Sequence, residues 1–600
     1  MTNITCSYSD LIKEAFIEPI RNVTVIDDEY PTLSSLIDYQ LSKDGSVTES
    51  ESPYKNVNVE RLKKIITMCH STYKWSVDVF NGQTPKIGGT EDIPSHIHHS
   101  DLIILDYHLD GEPSSDDGQR ARDIIGSLDN NNHFNIILVH TKGYSGEIAD
   151  VYKEILRDFV RIDSSHPLLP TKATIDTMDE WMSDNEEGRG HQWIEHEINL
   201  LPVLSVYFKH NPERIINPRN PQNPLSDHMK DIKDISDSSG VSIEEIIKWR
   251  FLELLKTNGI RIEGNGRSDI KWGWGDDSNY ISTGKTFISV IKKSADAPDE
   301  DLVTALNAAL VSHNASPMHL LMAKMRFELD ERGIEQALKI IENRPAQAGW
   351  LYNLLENSSS DAAHDKAINL HWEQLAMASR LELRNFSKKI VQASNCKNSN
   401  ENREFVKMFF TECMGNKDLT LGLLNAFSCS MPVTNNHLKT GTVIEIEGDK
   451  WVCVTPACDM VPGQKVEQWK SRIGENYLAF KAVKLISASL ENANNDANCN
   501  GFIFLNINNI PQAYTLGNEH PIWDTFFAGN LGRYNSDQIV SVFAVRDNPE
   551  IEGSPLSIKE LQSKAIAELR YEYALNLLHR FGASQTRVGL DFQDKRSMWA

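Results

Sequence analysis

Four side chains carry the chemistry that this sequence suggests: Asp27, Asp28, Asp106 and Thr141. Each stands where a short apolar run breaks off. Val23–Ile26 ends on Asp27, Asp28 and Glu29; Leu102–Leu105 ends on Asp106 and the polar stretch to Gly111; Ile136–Val139 ends on His140, Thr141 and Lys142. Runs of this kind read as buried parallel strands, whose carboxyl ends form the rim where α/β sheets keep their sites. Three carboxylates gathered on one rim raise one another's pKa and call for a counter-charge. A hard divalent cation such as Mg²⁺ meets that need, because it takes oxygen ligands and shares its shell with phosphate oxygens. A carboxylate beside it can attack phosphorus, while a hydroxyl and a nearby cation stabilise the phosphoryl oxygens.

This arrangement resembles the receiver domain of two-component response regulators, over roughly the first 165 residues. The resemblance implies a doubly wound, flavodoxin-like sheet and assigns roles residue by residue. Asp27 and Asp28 match the acidic metal-binding pair, Asp106 the phospho-acceptor and Thr141 the switch hydroxyl, with Mg²⁺ held by Asp27, Asp28 and Asp106. Asp117–Gly118 falls where receivers turn into their third helix, and Gln119–Ile125 reads as that helix. The sequence departs from the pattern twice. The gap from Asp28 to Asp106 is long, which implies insertions around residues 43–60 and 82–100. The lysine expected after the fifth strand is missing from Phe159–Asp163, so Arg161 or Lys142 is expected to supply the cation.

The elements that must position these residues follow from the rest of the chain. Six hundred residues allow roughly three to five domains. A formal net charge of −23 argues against non-specific binding to nucleic acid or anionic lipid. The N-terminus lacks the charged and apolar regions of a secretory signal, and no apolar run approaches the ~20 residues needed to span a bilayer. Eight scattered cysteines suggest reduced thiols, so a cytoplasmic location is expected.

Residues 1–165 form the expected receiver, with Leu33, Leu36, Ile37 and Leu41 at helical spacing in its first helix and Trp75–Phe80 as its second strand. His96, His98 and His99 lack orderly metal-ligand spacing, and His191 to His196 meets no zinc-protease pattern; a solvated loop and an amphipathic helix are expected. Residues 166–297 read as a linker plus a small α+β region. Ser242 and Glu245 make a capping box for a helix ended by Asn258–Gly259, and two strand-like runs follow at 270–291. A winged-helix-like unit is one reading, although no basic recognition face accompanies it. Thr283–Gly284–Lys285–Thr286 mimics the end of a phosphate-binding loop but lacks the leading glycine, so a turn is expected.

Residues 298–430 are helix-patterned, with segments at 299–311, 317–332, 334–343, 347–356, 362–394, 402–413 and 418–427. Residues 431–600 read as a β-rich domain, closed by a helix on which Leu561, Ala565, Leu569, Tyr573 and Leu577 lie four apart. Its Thr455–Asp459 corner, Arg570–Ala574 helix and Arg587–Asp591 tail resemble an uncharacterised β-rich domain of bacterial defence proteins. Cys458 beside Asp459 is a candidate nucleophile, and Cys453 with Cys458 a partial zinc pattern; a structural corner is favoured.

The whole reads as multidomain α/β, α and β: a phospho-acceptor, response-regulator-like signalling protein rather than an enzyme. Receivers of this type resemble those encoded beside GHKL, histidine-kinase-like ATPases in bacterial antiviral and conflict loci, and such an ATPase is the expected partner. No membrane partner is expected, nucleic acid is disfavoured, and a homodimer is left open. The alternatives are a scaffold that docks its ATPase through a degenerate receiver, and a DNA-binding regulator.

Overall fold

The computed structural model describes residues 6–43, 54–83, 86–87, 90–91, 97–111, 114–185, 201, 225, 228–263, 270–275, 278–293, 298–356, 361–411, 413–462, 471–517, 521–547 and 556–585. Among them no helix is long and apolar enough to cross a membrane. The chain divides into two compact units, one of Met1–Asn343 with Trp372–Ser394, the other of Arg344–His371 with Asn395–Ala600.

The first unit is built on a seven-stranded sheet. Its strands are β1 (Asn22–Ile26), β2 (Ser76–Phe80), β3 (Leu102–Leu105), β4 (Asn135–Thr141), then β7 (Lys271–Trp274), β8 (Asn279–Ser282) and β9 (Thr286–Lys292), in the spatial order β2-β1-β3-β4-β9-β8-β7. The first five in that order run parallel; β8 and β7 extend the edge antiparallel. Every residue of β3 and β4 is buried, because helices cover both faces. Alternate side chains sort by face. Ile103, Leu105, Ile137, Val139, Ile288 and Val290 pack toward α4 (Gln119–Asn130), α5 (Ala149–Phe159) and α8 (Ile243–Thr257). Leu102, Ile104, Ile136, Leu138 and Phe287 pack toward α1 (Tyr8–Phe16), α3 (Asn56–Thr67), α9 (Pro298–His313) and α10 (Pro317–Ile341). Helix α2 (Leu33–Lys43) forms as its spacing predicts, yet Leu33, Leu36, Ile37 and Leu41 are all exposed.

Three expectations are corrected here. Phe159–Asp163 is not the fifth strand of this sheet. Its β part, β5 (Arg161–Asp163), pairs instead with β6 (Arg261–Glu263) in a separate two-stranded sheet. The fifth parallel strand is β9, in register with β4 over seven residues from Thr286 opposite Asn135 to Lys292 opposite Thr141. A boundary at residue 165 therefore cuts through the sheet, as does one at 297, since Leu302, Leu306 and Leu310 of α9 cover its face. The 270–291 hairpin is part of this sheet, which removes the winged-helix reading. The intervening segment carries α6 (Lys172–Asp184), α7 (Met229–Ser239) and α8. The Ser242 side chain caps α8 by accepting from Glu245 N, and Gly259 (φ +68°) turns the chain out of it. The Thr283–Thr286 stretch is a turn, as expected, with Gly284 at φ +85°.

Segments 317–332 and 334–343 are one helix, α10; a single Gly333 costs about 1 kcal/mol, too little to break so long a run. The second unit carries helices at Arg344–Glu356, Ser399–Phe410 and Lys417–Cys429, followed by an antiparallel sheet of ten strands. Its Thr442–Ile446 and Asp449–Cys453 hairpin turns on Glu447 and Gly448, both at positive φ, as two-residue hairpins require. The expected helix from Ser557 is corrected: Ser557–Leu561 and Ser563–Leu569 are strands, and helix begins at Tyr571. Residues spaced four apart also lie on one face of a strand, and the burial of Ala567 between Ala565 and Leu569 fits that period.

Candidate functional site

The register of the parallel strands fixes the rim. Ile26 lies beside Leu105 and Leu105 beside Val139, so Asp27 and Asp106 leave neighbouring strands at one level. The ladder continues into the rim itself: Asp27 N donates to Phe80 O at 3.0 Å, Asp106 N to Ile26 O at 2.8 Å, and Lys293 N to Thr141 O at 2.7 Å. Asp27, Asp28 and Asp106 each offer an oxygen within 4.8 Å of the others, the one such group among the described residues.

A residue absent from the sequence reading completes the cluster. Lys293, just past β9, places Nζ 2.6 Å from Asp106 Oδ2 and 2.9 Å from Asp27 Oδ2. Its side chain is only 1% exposed, and those of Asp27 and Asp106 are 3% and 7% exposed. Burial works against the lysine's charge, but Asp106 and then Asp27 outweigh it and hold the ammonium charged. The three carboxylates still exceed the one cation. Burial first, then its carboxylate neighbours, pushes Asp28 up to about 6. Burial likewise raises Asp27 to about 6 despite Lys293, and raises Asp106. Asp28 Oδ1 is buried with no hydrogen-bond partner. An orphaned carboxylate oxygen beside two further acids suits a divalent cation with oxygen ligands, so the residues present fit Mg²⁺.

The flanking expectations divide. Thr141 is buried at the end of β4 beside the lysine's strand; its Oγ1 accepts from Gly143 N at 3.1 Å and lies 3.4 Å from His108 Nδ1. Lys142 does not reach the acids; Nζ bonds Glu29 at 2.9 and 3.0 Å. Burial works to raise Glu29, yet the hydrogen bond and charge of Lys142 leave it below the usual carboxylate range. Arg161 is not at the rim: its strand belongs to the second sheet, and its Nε lies 3.4 Å from Glu263.

The loop after Asp106 is held from beneath. Tyr107 donates to Glu154 at 2.6 Å and accepts from Arg122 at 2.7 Å. Asp116 closes the loop by accepting from Asp110 N and Gly118 N, at 2.9 and 2.8 Å. Gly118, at φ +67°, caps α4 where expected, and a Cβ there would lie 2.1 Å from the Tyr107 ring.

The other candidates stay outside this cluster. His98 and His99 form a short 3₁₀ turn with Ile97, and the His98 carbonyl accepts from Asn131 at 3.3 Å. His96, His191, His196 and the 586–592 tail lie outside the described residues. Cys458 is exposed, 3.4 Å from Asp459 Oδ1, while Cys453 is buried against Met460 and pushed up to about 12 by burial.

Sequence reasoning missed Lys293 although a signal was present. Phe287–Ile291 is a fourth apolar run that closes on polar residues, Lys292 and Lys293, as the other three close on acids or a hydroxyl. No curated protein and no solved structure matches the chain. The family model for the response receiver domain matches residues 19–176, so this part of the chain carries a response receiver domain, which suggests a response-regulator-like signalling role.

Proposed function

We propose that the chain receives a phosphoryl group on Asp106 and reports it through the elements wrapped around the receiver sheet. The observation that carries this reading is Lys293. The cation missing from the matched segment is supplied, fully buried, by a strand more than a hundred residues downstream. Asp27, Asp28 and Asp106 would hold Mg²⁺, which when bound supplies positive charge to the phosphoryl oxygens. An Asp106 oxygen attacks phosphorus; the bond from phosphorus to the donor's leaving group breaks, and that group departs with the electron pair. Lys293 then faces a phosphoryl oxygen in place of the carboxylate oxygen it now holds. Thr141 is positioned to exchange its approach to His108 for one to the phosphoryl group, which changes the surface over β4.

The donor in this proposal is a GHKL-type ATPase partner in a bacterial antiviral pathway. The direct bridge from Lys293 to both acids also favours a second reading, a permanently ion-paired rim that serves only for docking. Incubation of the full chain with acetyl phosphate and Mg²⁺ separates the two. Acid-stable but hydroxylamine-sensitive label should appear on wild type and be absent from Asp106→Asn. Label retained by Asp106→Asn refutes the assignment, and no label on either supports docking.

A further inference from the structure

At the opposite end of the same strands lies a cleft of about 990 Å³, within the range of small-molecule sites. It opens beside Asn22, Asp101 and Ile136, where the strands begin. Five residue steps along β1 take the chain from Asn22 to Asp27, about 16 Å at strand rise, so the cleft is distinct from the acidic rim. Two helices outside the sheet's own connections help to wall it. Phe16 closes α1, and Met322, Arg326 and Phe327 belong to α10. The Tyr8 hydroxyl donates to the Ala315 carbonyl at 2.6 Å, which ties α1 to the start of α10.

The lining separates into an apolar floor and a basic side. Phe16 and Phe134 stand 6.0 Å apart, and Phe287 and Leu310 are buried in the core beneath. Lys271, on the edge strand β7, contributes an exposed ammonium whose field bears on both His313 and His319. His313 packs 5.5 Å from the Phe287 ring, and its Nδ1 is buried with no hydrogen-bond partner. The lining carboxylate of Asp101 is already engaged: it accepts from Arg21 N and Asn22 N at 2.9 and 3.1 Å and lies 3.6 Å from His133 and 3.9 Å from Arg326. Asp330, the other lining carboxylate, is exposed at the solvent edge.

We propose that this cleft binds an amphipathic organic anion: an aromatic or acyl body seated against Phe16, Phe134, Phe287 and Leu310, with one carboxylate or sulfonate directed to Lys271 and His313. The apolar walls exclude a small inorganic anion as the natural occupant, because they would remain wet and unpaired. A cationic amphiphile would meet Lys271 and Arg326 as like charges. The orphaned His313 nitrogen gains a partner from an acceptor on the ligand when it carries the proton, and a nearby anion favours the protonated ring, in which both nitrogens donate. Burial, reinforced by Lys271 and His319, otherwise holds that ring at about 4 and therefore neutral. The proposal rests on the cleft alone and stands whether or not Asp106 is phosphorylated.

The test is a fluorescence titration of the full chain with anilinonaphthalene sulfonate, an aromatic organic anion, followed by competition. One saturable site is expected, displaced by decanoate at least about tenfold more readily than by decyltrimethylammonium. Lys271→Glu reverses a surface charge without disturbing the core and should weaken binding about tenfold. Met322→Trp, at a lip position 45% exposed, should fill the entrance and abolish it. Unsaturable binding, equal displacement by the cationic amphiphile, or full binding by both variants with unchanged circular dichroism overturns the proposal.

Discussion

Replacing Lys293 by methionine keeps the volume and removes the cation between two buried acids. Both partners are almost wholly buried, so solvent cannot replace the lost charge. Breaking a buried pair by deleting one member costs about 3–5 kcal/mol, because the remaining charge is left uncompensated. Here two carboxylates are orphaned, with Asp28 already lacking a counter-ion, so the upper part of that range is expected in metal-free protein at pH 7.5. A typical domain has about 5–15 kcal/mol of total stability, so the sheet should open far more often. Hydrogen exchange of peptides covering Leu102–Leu105 and Asn135–Thr141 reads this in the full chain. Protection should fall at least about a hundredfold in Lys293→Met. Two reversals follow from the same cause. Lowering the pH to about 5.5 protonates a carboxylate and should return much of the protection. Adding Mg²⁺ should protect the variant more than the wild type, since the cluster it binds has lost its competing cation. A fall of less than about threefold, or a larger fall that neither protons nor Mg²⁺ repair, would refute the electrostatic account of the rim.

In metal-free wild type, Asp27 and Asp28 are both raised to about 6 in the fold, chiefly by burial. Unfolded carboxylates titrate near 4, so between roughly pH 4 and 6 these two groups bind more protons in the fold and their own contribution to stability falls as pH rises, while buried His140 and His313, both lowered, act in the opposite sense; a stability gain of Asp28→Asn over chelated wild type that does not grow from pH 5 to pH 7 contradicts this. Asp28→Asn removes an unpaired charge and should raise stability in chelator at pH 7.5, while the further gain from Mg²⁺ disappears; an unchanged Mg²⁺ response in a thermal melt would exclude Asp28 as a ligand. Gly118→Ala forces a Cβ into the Tyr107 ring at positive φ and should cost about 2 kcal/mol or more, seen as faster exchange in Gln119–Asn130. Lys142→Ala removes a pair whose lysine is 44% exposed, worth about 0–1 kcal/mol, and Lys142→Ala and Arg161→Ala should both retain phosphoryl labelling.

The acidic half of the rim was legible and the basic half was not, for a physical reason. Asp27 and Asp106 end strands that adjoin in the sheet, and each closes an apolar run on an acid, so their shared rim was marked in the sequence despite the long gap between them. The strand bearing Lys293 follows a long insertion with its own helices and small sheet, and it directly follows an antiparallel neighbour. A hairpin strand and a parallel-sheet strand are written with the same residues; the difference lies in what covers the second edge, and here that is β4. The assignment to Lys142 failed on geometry of the same kind. Lys142 lies one residue past the β4 ladder, where the chain turns through Gly143 (φ +67°), and its ammonium finds Glu29 at a partly exposed edge. Lys293 remains tied to the ladder through its own N–H to the Thr141 carbonyl, so its side chain is aimed by seven paired residues before it. That pairing explains how the insertion is tolerated. Loop-closure entropy grows only as the logarithm of length, so doubling a connection costs about 0.6 kcal/mol, while burying the apolar side chains of Thr286–Val290 contributes several times as much.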